Sequence, residues 1–247
     1  MSATTRRPIA IYYEHPDWFR PLFTELDRRR DPYVRLDAAS HRFDASDGAG
    51  QPSYSLVFNR MSPSAYLRGA GNAIFYTLHY LAHLQRHGVR VINGYDAWVT
   101  ETSKALQLAL LRQLGLPHPK ARVINNAAEA RAAAEGLRFP VVLKPNIGGS
   151  GAGIRRFETP AQLEQTVKAG ALDLGIDHTA LVQEYIPAAD QRIVRVEVLG
   201  HVFRRRDRAF DGRRFCVCAV GGASRRAHAE VAQGDWWKSE EPAQAQR

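Results

Sequence analysis

Short apolar runs alternate with segments of helical periodicity over roughly the first 95 residues. The runs that predict strands are Pro8–Tyr13, Tyr33–Leu36, Ser55–Phe58 and Val89–Ile92. Between them, apolar residues recur at helical spacing in Asp17–Arg30 and Asn72–His87. Because strands that alternate with helices usually build parallel sheets, this region predicts an open, mostly parallel sheet.

The pattern changes in the second part of the chain, where strands also follow one another as hairpins. Helices are predicted at Thr102–Leu114, Ala127–Glu135 and Thr159–Lys168. Strands are predicted at Arg122–Ile124, Val141–Leu143 and Leu181–Ile186, and in a hairpin of Ile193–Leu199 with Val202–Arg206. The chain therefore reads as α/β, with a parallel N-terminal sheet followed by an α+β region.

The stretch Phe139–Ile154 joins a buried strand to a glycine-rich loop. The strand ends on Lys144, and the glycines that follow are Gly148, Gly149, Gly151 and Gly153. Backbone N–H groups in such a loop converge on anions, and a lysine adds a point charge. The P-loop pattern is absent, because the lysine precedes the glycines and a strand follows them. The alternative is an ordinary glycine-rich turn with an exposed lysine.

Two further basic residues lie where the local structure does not require them. Lys104 falls in the first turn of a predicted helix, where the helix dipole disfavours a cation. Arg195 lies on the polar face of a strand whose other face carries Val194, Val196 and Val198. A lysine exposed to solvent and a strand arginine facing solvent are the alternatives.

Composition and charge narrow the functional classes. The 247 residues are 45% hydrophobic and 24% charged, as in ordinary globular proteins. No apolar run reaches the roughly 18 residues of a membrane span, and we expect a cytoplasmic protein without a membrane partner. The net charge of +9 comes largely from arginine, including Arg204–Arg206. Without interleaved aromatic residues, a solvated or phosphate-facing basic surface is favoured over RNA binding, so a nucleic-acid partner is not expected.

Cysteine use is sparse. The two cysteines, Cys216 and Cys218, are too close together to define the fold by a disulfide, which agrees with a reducing compartment. With His201 and His228 they could form a zinc site, but the usual ligand spacing is absent. Two small residues on one face of a strand are the favoured interpretation.

Taken together, these motifs resemble the ATP-grasp ligases, particularly the branch of glutathione synthetase and the ribosomal-protein glutamate ligases. The resemblance covers about residues 90–206. It implies a Rossmann-like domain preceding the nucleotide site at 1–97, an incomplete ATP-grasp region at 98–210, and a diverged or disordered tail at 211–247.

The resemblance also implies roles for individual residues. Lys104 and Lys144 would reach the nucleotide phosphates, and the loop Gly148–Gly153 would form a flexible lid over them. Glu184, Tyr185 and Ile186 would form a hinge whose backbone groups recognise adenine, and Asp190 would bind the ribose hydroxyls. Val182 and Ile186 would offer apolar contact to the adenine ring, and Arg195 would act as a catalytic residue at the phosphate or the substrate carboxylate. The residues implied in ATP binding are Lys104, Lys144, Gly148, Gly149, Ser150, Gly151, Gly153, Glu184, Tyr185, Ile186 and Asp190.

The implied reaction is activation of a carboxylate by ATP and Mg²⁺ to an acyl phosphate, followed by attack of a small amine or thiol. The family's Glu-x-Asn metal motif is absent after Phe210, so no metal ligand is assigned. Three hypotheses follow: an ATP-dependent ligase, a catalytically inactive nucleotide-binding or structural remnant of one, and a basic RNA-associated protein.

A shortened sheet would also affect assembly. If strands that normally cover Leu181–Ile186 and Ile193–Leu199 are missing, these segments expose an edge and apolar surface. We therefore expect either a homo-oligomer or a poorly ordered C-terminus.

Overall fold

A computed structural model describes residues 7–15, 17–46, 54–149 and 151–187, and the backbone of 192–199 and 202–209. Ser150, Asp190, His201, Cys216, Cys218, His228 and the whole tail 211–247 lie outside the described residues. No helix in the described part of the chain is long and apolar enough to cross a membrane.

The first sheet is parallel throughout. Its strands are β1 (Ile9–Tyr13), β2 (Tyr33–Asp37), β3 (Leu56–Asn59) and β4 (Val91–Ile92), in the spatial order β2-β1-β3-β4. The accompanying helices are α1 (Arg20–Arg29), α2 (Gly71–Arg86) and α3 (Tyr95–Glu101). This arrangement confirms the open, mostly parallel sheet that the sequence predicts.

Helix α3 was not expected from the sequence. It is seven residues long, and Trp98 is its one buried residue, so no amphipathic period develops. Trp98 is fully buried in the core of the first sheet and its indole Nε1 donates to the Ile74 carbonyl at 3.3 Å. A single aromatic anchor therefore fixes this helix.

The second sheet is antiparallel. Its strands β5 (Ala121–Ile124), β6 (Val141–Pro145), β7 (Arg155–Phe157) and β8 (Ala180–Glu184) have the spatial order β5-β8-β6-β7. Helices α5 (Ala130–Ala133) and α6 (Pro160–Lys168) pack on one face, where a continuous apolar core forms. A 3₁₀ turn at Ala127–Glu129 precedes α5, so the predicted alanine-rich helix is shorter than expected.

Helix α4 (Lys104–Gln113) connects the two sheets in sequence. Ser103 caps it by accepting a hydrogen bond from the Leu106 N–H at 3.2 Å. Strands β9 (Arg192–Leu199) and β10 (Val202–Ala209) then form an antiparallel hairpin with Val202 opposite Leu199. The predicted hairpin is therefore confirmed, and its second strand extends beyond Arg206.

The expectation that Leu181–Ile186 would form an exposed sheet edge is wrong. Strand β8 lies between β5 and β6, and Leu181 and Val182 are fully buried. Strand β8 inserts between β5 and β6, which are consecutive in sequence, while β7 pairs with β6 at the outer position. The edges of this sheet are β5 and β7.

Gly175 provides a test of how tightly β6 is packed. It has a φ of +87°, and a Cβ atom placed there would lie 2.6 Å from Pro145 Cβ. We expect Gly175→Ala to lower the free energy of unfolding by about 2 to 4 kcal/mol, because strain and overpacking add. Urea unfolding followed by circular dichroism measures this change.

Gly170→Ala is the matched control. Gly170 has a φ of +63°, but nothing lies within 4 Å of its added Cβ. Only the backbone strain of about 1 kcal/mol should therefore appear. Equal losses in the two variants would contradict the packing argument.

Candidate functional site

Lys144 is a buried cation on the face of the second sheet that lies opposite α5 and α6. Val141 and Leu143 point into the core beneath these helices, so strand alternation directs Val142 and Lys144 to the other face. Lys144 is 6% exposed and forms no hydrogen bond or ion pair with the residues that the structure describes. Burial, with a smaller contribution from the nearby Lys104 charge, lowers the pKa of Lys144 to about 8.

Lys104 lies close by and is held by backbone carbonyls. Its ammonium donates to the carbonyl oxygens of Pro145 at 2.8 Å, Asn146 at 3.1 Å and Gly148 at 3.3 Å. These three carbonyls begin the glycine-rich loop, so the loop wraps around the ammonium. The two lysines predicted as a pair are therefore brought together by the fold.

Asn146 joins this loop to the start of α4. Its side-chain oxygen accepts from Ser103 Oγ at 3.2 Å and from the Ala105 N–H at 3.1 Å. Its amide nitrogen donates to Asp177 at 3.0 Å. Asn146 was not among the site residues predicted from the sequence. The sequence does show an asparagine directly after the Lys144-Pro145 pair that ends the strand. A side-chain amide at such a position can accept hydrogen bonds from the free N–H groups at the start of a helix.

The glycine-rich loop packs against the first sheet. Gly148 has a φ of +152°, and a Cβ atom there would lie 3.1 Å from Tyr66 Oη and 3.8 Å from Lys104 Nζ. A Cβ on Gly149 would lie 3.4 Å from Ser64 Cβ. Tyr66 lies in the 3₁₀ helix Ala65–Arg68, which Ser64 directly precedes, and this segment follows β3, so the carboxyl end of the parallel sheet meets the loop. Gly151 and Gly153 also have positive φ values, of 75° and 73°.

The predicted hinge is anchored to its neighbours. The Glu184 N–H donates to the Lys120 carbonyl at 3.0 Å, and the Tyr185 N–H donates to the Pro140 carbonyl at 2.9 Å. The Glu184 carboxylate accepts from the Arg138 N–H at 3.0 Å. Ile186 is 56% exposed. Two of the three hinge N–H groups are therefore already engaged by the protein.

The pairing of β6 with β8 decides which residues share a face with Lys144. Lys144 lies opposite Leu181, and Val142 lies opposite Gln183. Val182 points to the other face and packs in the core beneath α5 and α6, so the expected contact of Val182 with adenine is wrong. The neighbouring Gln183 lies on the Lys144 face instead and, like Asn146, was not predicted from the sequence as a site residue.

Gln183 brings an unsatisfied polar group to the Lys144 face. It is 7% exposed, and its Oε1 atom has no hydrogen-bond partner among the described residues. A buried acceptor without a partner costs about 1 to 3 kcal/mol. Gln183 could have been predicted to share a face with Lys144 only if the pairing register of β6 with β8 had been known, because that register decides which residues of β8 lie on the Lys144 face.

The remaining predicted residues are less completely described. Arg195 lies in β9 opposite Arg206 of β10, and only its backbone position is given. Ser150 and Asp190 lie outside the described residues. Within the described ranges, no group of three or more His, Cys, Asp or Glu side chains is placed to hold a metal ion.

Comparison with known families identifies this arrangement. Residues 101–223 match the family model described as the RimK-like ATP-grasp domain. The chain belongs to the ATP-grasp family. The match begins just before α4 and includes both lysines, the glycine-rich loop, the hinge and the β9–β10 hairpin.

The chain is also similar to parts of individual proteins. The chain is 36% identical over 98 residues to the uncharacterized protein y4sG of Sinorhizobium fredii, covering 40% of this chain and 27% of that protein. It is 35% identical over 75 residues to a D-alanine–D-alanine ligase of Paracidovorax citrulli, covering 30% and 22%. It thus spans about a quarter of the length of each relative.

The fold agrees with a solved ATP-grasp protein. The crystal structure of a RimK domain protein from Sphaerobacter thermophilus superimposes with a TM-score of 0.56 at 21% identity, covering 78% of this chain and 70% of that one. Because the sequence identity is low, this likeness concerns the fold alone.

The buried charge of Lys144 predicts an unusual dependence of stability on pH. Its pKa of about 8 lies below the ordinary 10.5, so below pH 8 the lysine is charged in both states and its burial is unfavourable. Between about pH 8 and 10.5 the folded protein releases this proton first, and the free energy of unfolding rises. We expect Lys144→Met to stabilise the fold by up to about 3 kcal/mol at pH 7 and to remove this rise.

Lys168→Met is the control for this prediction. Lys168 is 74% exposed in α6 and pairs with Glu164 at 2.7 Å. Its removal should change stability by no more than about 0.5 kcal/mol at any pH. Urea titrations at pH 7 and at pH 10.5 measure both variants, and an unchanged Lys144→Met stability at pH 7 would contradict the assignment.

Proposed function

We propose that this ATP-grasp chain binds ATP and uses it to activate a carboxylate, which is then joined to an amine or a thiol. The observation that carries the proposal is the pair of Lys144 and Lys104 beside the glycine-rich loop. A nearly buried ammonium without a partner among the described residues is unfavourable until an anion neutralises it. A polyphosphate supplies that anion.

The residues around the pair fit a nucleotide. Gly148 and Gly149 carry no side chain, so the backbone of the loop can approach a phosphate closely. The unpaired Oε1 of Gln183 on the Lys144 face is suited to accept a hydrogen bond from an exocyclic amino group. With the Glu184 and Tyr185 N–H groups engaged, base recognition by the hinge would rest on its carbonyls and on Ile186.

Lys104 would change partners when ATP binds. Its ammonium is satisfied by three carbonyls, and contact with a phosphate would replace one or more of these bonds. The same exchange would release the first residues of the loop. In this way the ammonium would couple phosphate binding to movement of the glycine lid.

The reaction would proceed in two balanced steps. A substrate carboxylate oxygen forms a bond to the γ-phosphorus, while the bond from that phosphorus to the bridging oxygen breaks and ADP leaves. The amine or thiol then attacks the carbonyl carbon, loses its proton, and displaces inorganic phosphate. Lys144 and Lys104 would stabilise the phosphate charge, and Arg195 is our candidate for the acyl phosphate.

ATP-grasp ligases generally use Mg²⁺ with ATP, and the ion would add positive charge at the phosphates. Its protein ligands are not assigned, because the described residues contain no suitable cluster. We infer the class of substrate from a similar protein. The D-alanine–D-alanine ligase of Paracidovorax citrulli joins amino acids, so amino acids are the first carboxylates and amines to test.

Calorimetric titration of ATP, with and without Mg²⁺, tests the nucleotide site. We expect Lys144→Ala to weaken ATP binding at least about tenfold, because a desolvated charge contact to phosphate is lost. Lys168→Ala removes an exposed charge and should bind like the wild type. Wild-type binding that is absent, or that survives unchanged in Lys144→Ala, would overturn the assignment.

Phosphate release distinguishes a ligase from an inactive nucleotide-binding remnant. A ligase should release phosphate from Mg-ATP faster when amino acids are added, and hydroxylamine should trap an acyl phosphate as a hydroxamate. If the protein binds ATP but none of the tested amino acids increases phosphate release or yields a hydroxamate, the result would favour the inactive nucleotide-binding remnant.

A further inference from the structure

A groove lies at the outer edge of the second sheet. It has a volume of about 740 Å³ and runs between helix α4 and the segment before β6, with the start of β5 between them. The groove is lined by four residues of α4 and by seven residues of the two other segments: Leu108, Ala109, Arg112 and Gln113, and then residues 118–122, Gly136 and Leu137. Lys144, Lys104 and the glycine-rich loop do not line it.

The groove is lined by basic side chains and by no acidic one. Arg112, Lys120 and Arg122 are exposed cations that come from three positions along its walls, and His118 adds an imidazole. Arg122 is held in place because its Nη1 donates to the Ala133 carbonyl at 2.8 Å. Since Leu108, Pro119 and Leu137 also line it, the surface combines positive charge with apolar contact.

Strand β5 presents an open edge at this groove. Among the strands that the structure describes, it pairs with β8 alone and is the outermost strand on that side of the sheet. The Glu184 N–H donates to the Lys120 carbonyl, so in this antiparallel register the backbone groups of Ala121 and Val123 point away from β8. Val123 is also 52% exposed. An extended segment can therefore add here as a fifth strand.

We propose that this groove binds an extended acidic peptide segment of a partner, which pairs with β5 and places its carboxylates on Arg112, Lys120 and Arg122. Backbone pairing supplies affinity, and the cations supply selectivity for acidic side chains. The groove is far larger than one phosphate or carboxylate group. No Phe, Tyr or Trp side chain is among its lining residues, and the single imidazole of His118 does not make a row of rings on which successive nucleic-acid bases could stack.

Fluorescence anisotropy with a labelled peptide of alternating Glu and Val tests this site. We expect the double variant Arg112→Glu, Lys120→Glu to weaken binding at least about tenfold, and added salt to weaken binding to the wild type. The double variant Arg86→Glu, Arg90→Glu makes the same change in net charge on exposed residues of the first sheet's side. It should bind like the wild type.

Two further measurements separate this site from general charge attraction. Hydrogen exchange should show that the peptide protects the amides of Ala121 and Val123, whereas a Lys-Val peptide should give no protection. Equal binding by both double variants, protection elsewhere, or no binding would overturn the proposal. Stronger competition by single-stranded RNA than by unlabelled acidic peptide would overturn it in favour of nucleic acid.

Because the site excludes Lys144, its failure can be distinguished from failure of the proposed ligase. Lys144→Ala should leave peptide binding unchanged while it weakens ATP binding.

Discussion

Two ammonium groups lie close together near the end of strand β6, and much of the surrounding structure follows from accommodating them. Lys104 is accommodated by three backbone carbonyls at 2.8 to 3.3 Å. Lys144 is accommodated by a lowered pKa, since burial makes its charged form unfavourable. Natural proteins keep such an arrangement at functional sites, because the local free-energy cost is offset when an anionic ligand binds.

The contacts around the lysines join the glycine-rich loop of the second sheet to the segment that follows β3 of the first sheet. Asn146 holds the loop to the start of α4, and Gly148 and Gly149 lie against Tyr66 and Ser64, which follow strand β3 of the first sheet. Ligands of parallel α/β sheets bind at the carboxyl ends of the strands, and this turn follows the carboxyl end of β3. A carboxylate bound there would be adjacent to a phosphate held by the loop. In the reaction that we propose, this placement would bring the carboxylate and the phosphate together.

The sequence predicts local features here better than it predicts pairings. Lys144 and the glycines are recognisable because they follow one another along the chain, and helical spacing identifies α2 and α4. The assignment of Val182 to the adenine contact failed because the face of a strand residue depends on register, and Lys144 pairs with Leu181. Asn146 and Gln183 were missed for a related reason: their partners, or the lack of one, arise only after distant segments assemble.

The position of β8 inside the second sheet affects how the protein could assemble. The apolar strand β8 is enclosed, and β5, one of the two edge strands of this sheet, lies beside Arg112, Lys120 and Arg122. Charged residues on an edge discourage pairing with an identical edge, because like charges would face one another. A chain with a net charge of +9 is therefore poorly suited to self-association through β5. The same cations favour an acidic strand, so a single arrangement of charges both opposes homo-oligomer formation at this edge and selects the partner that we propose.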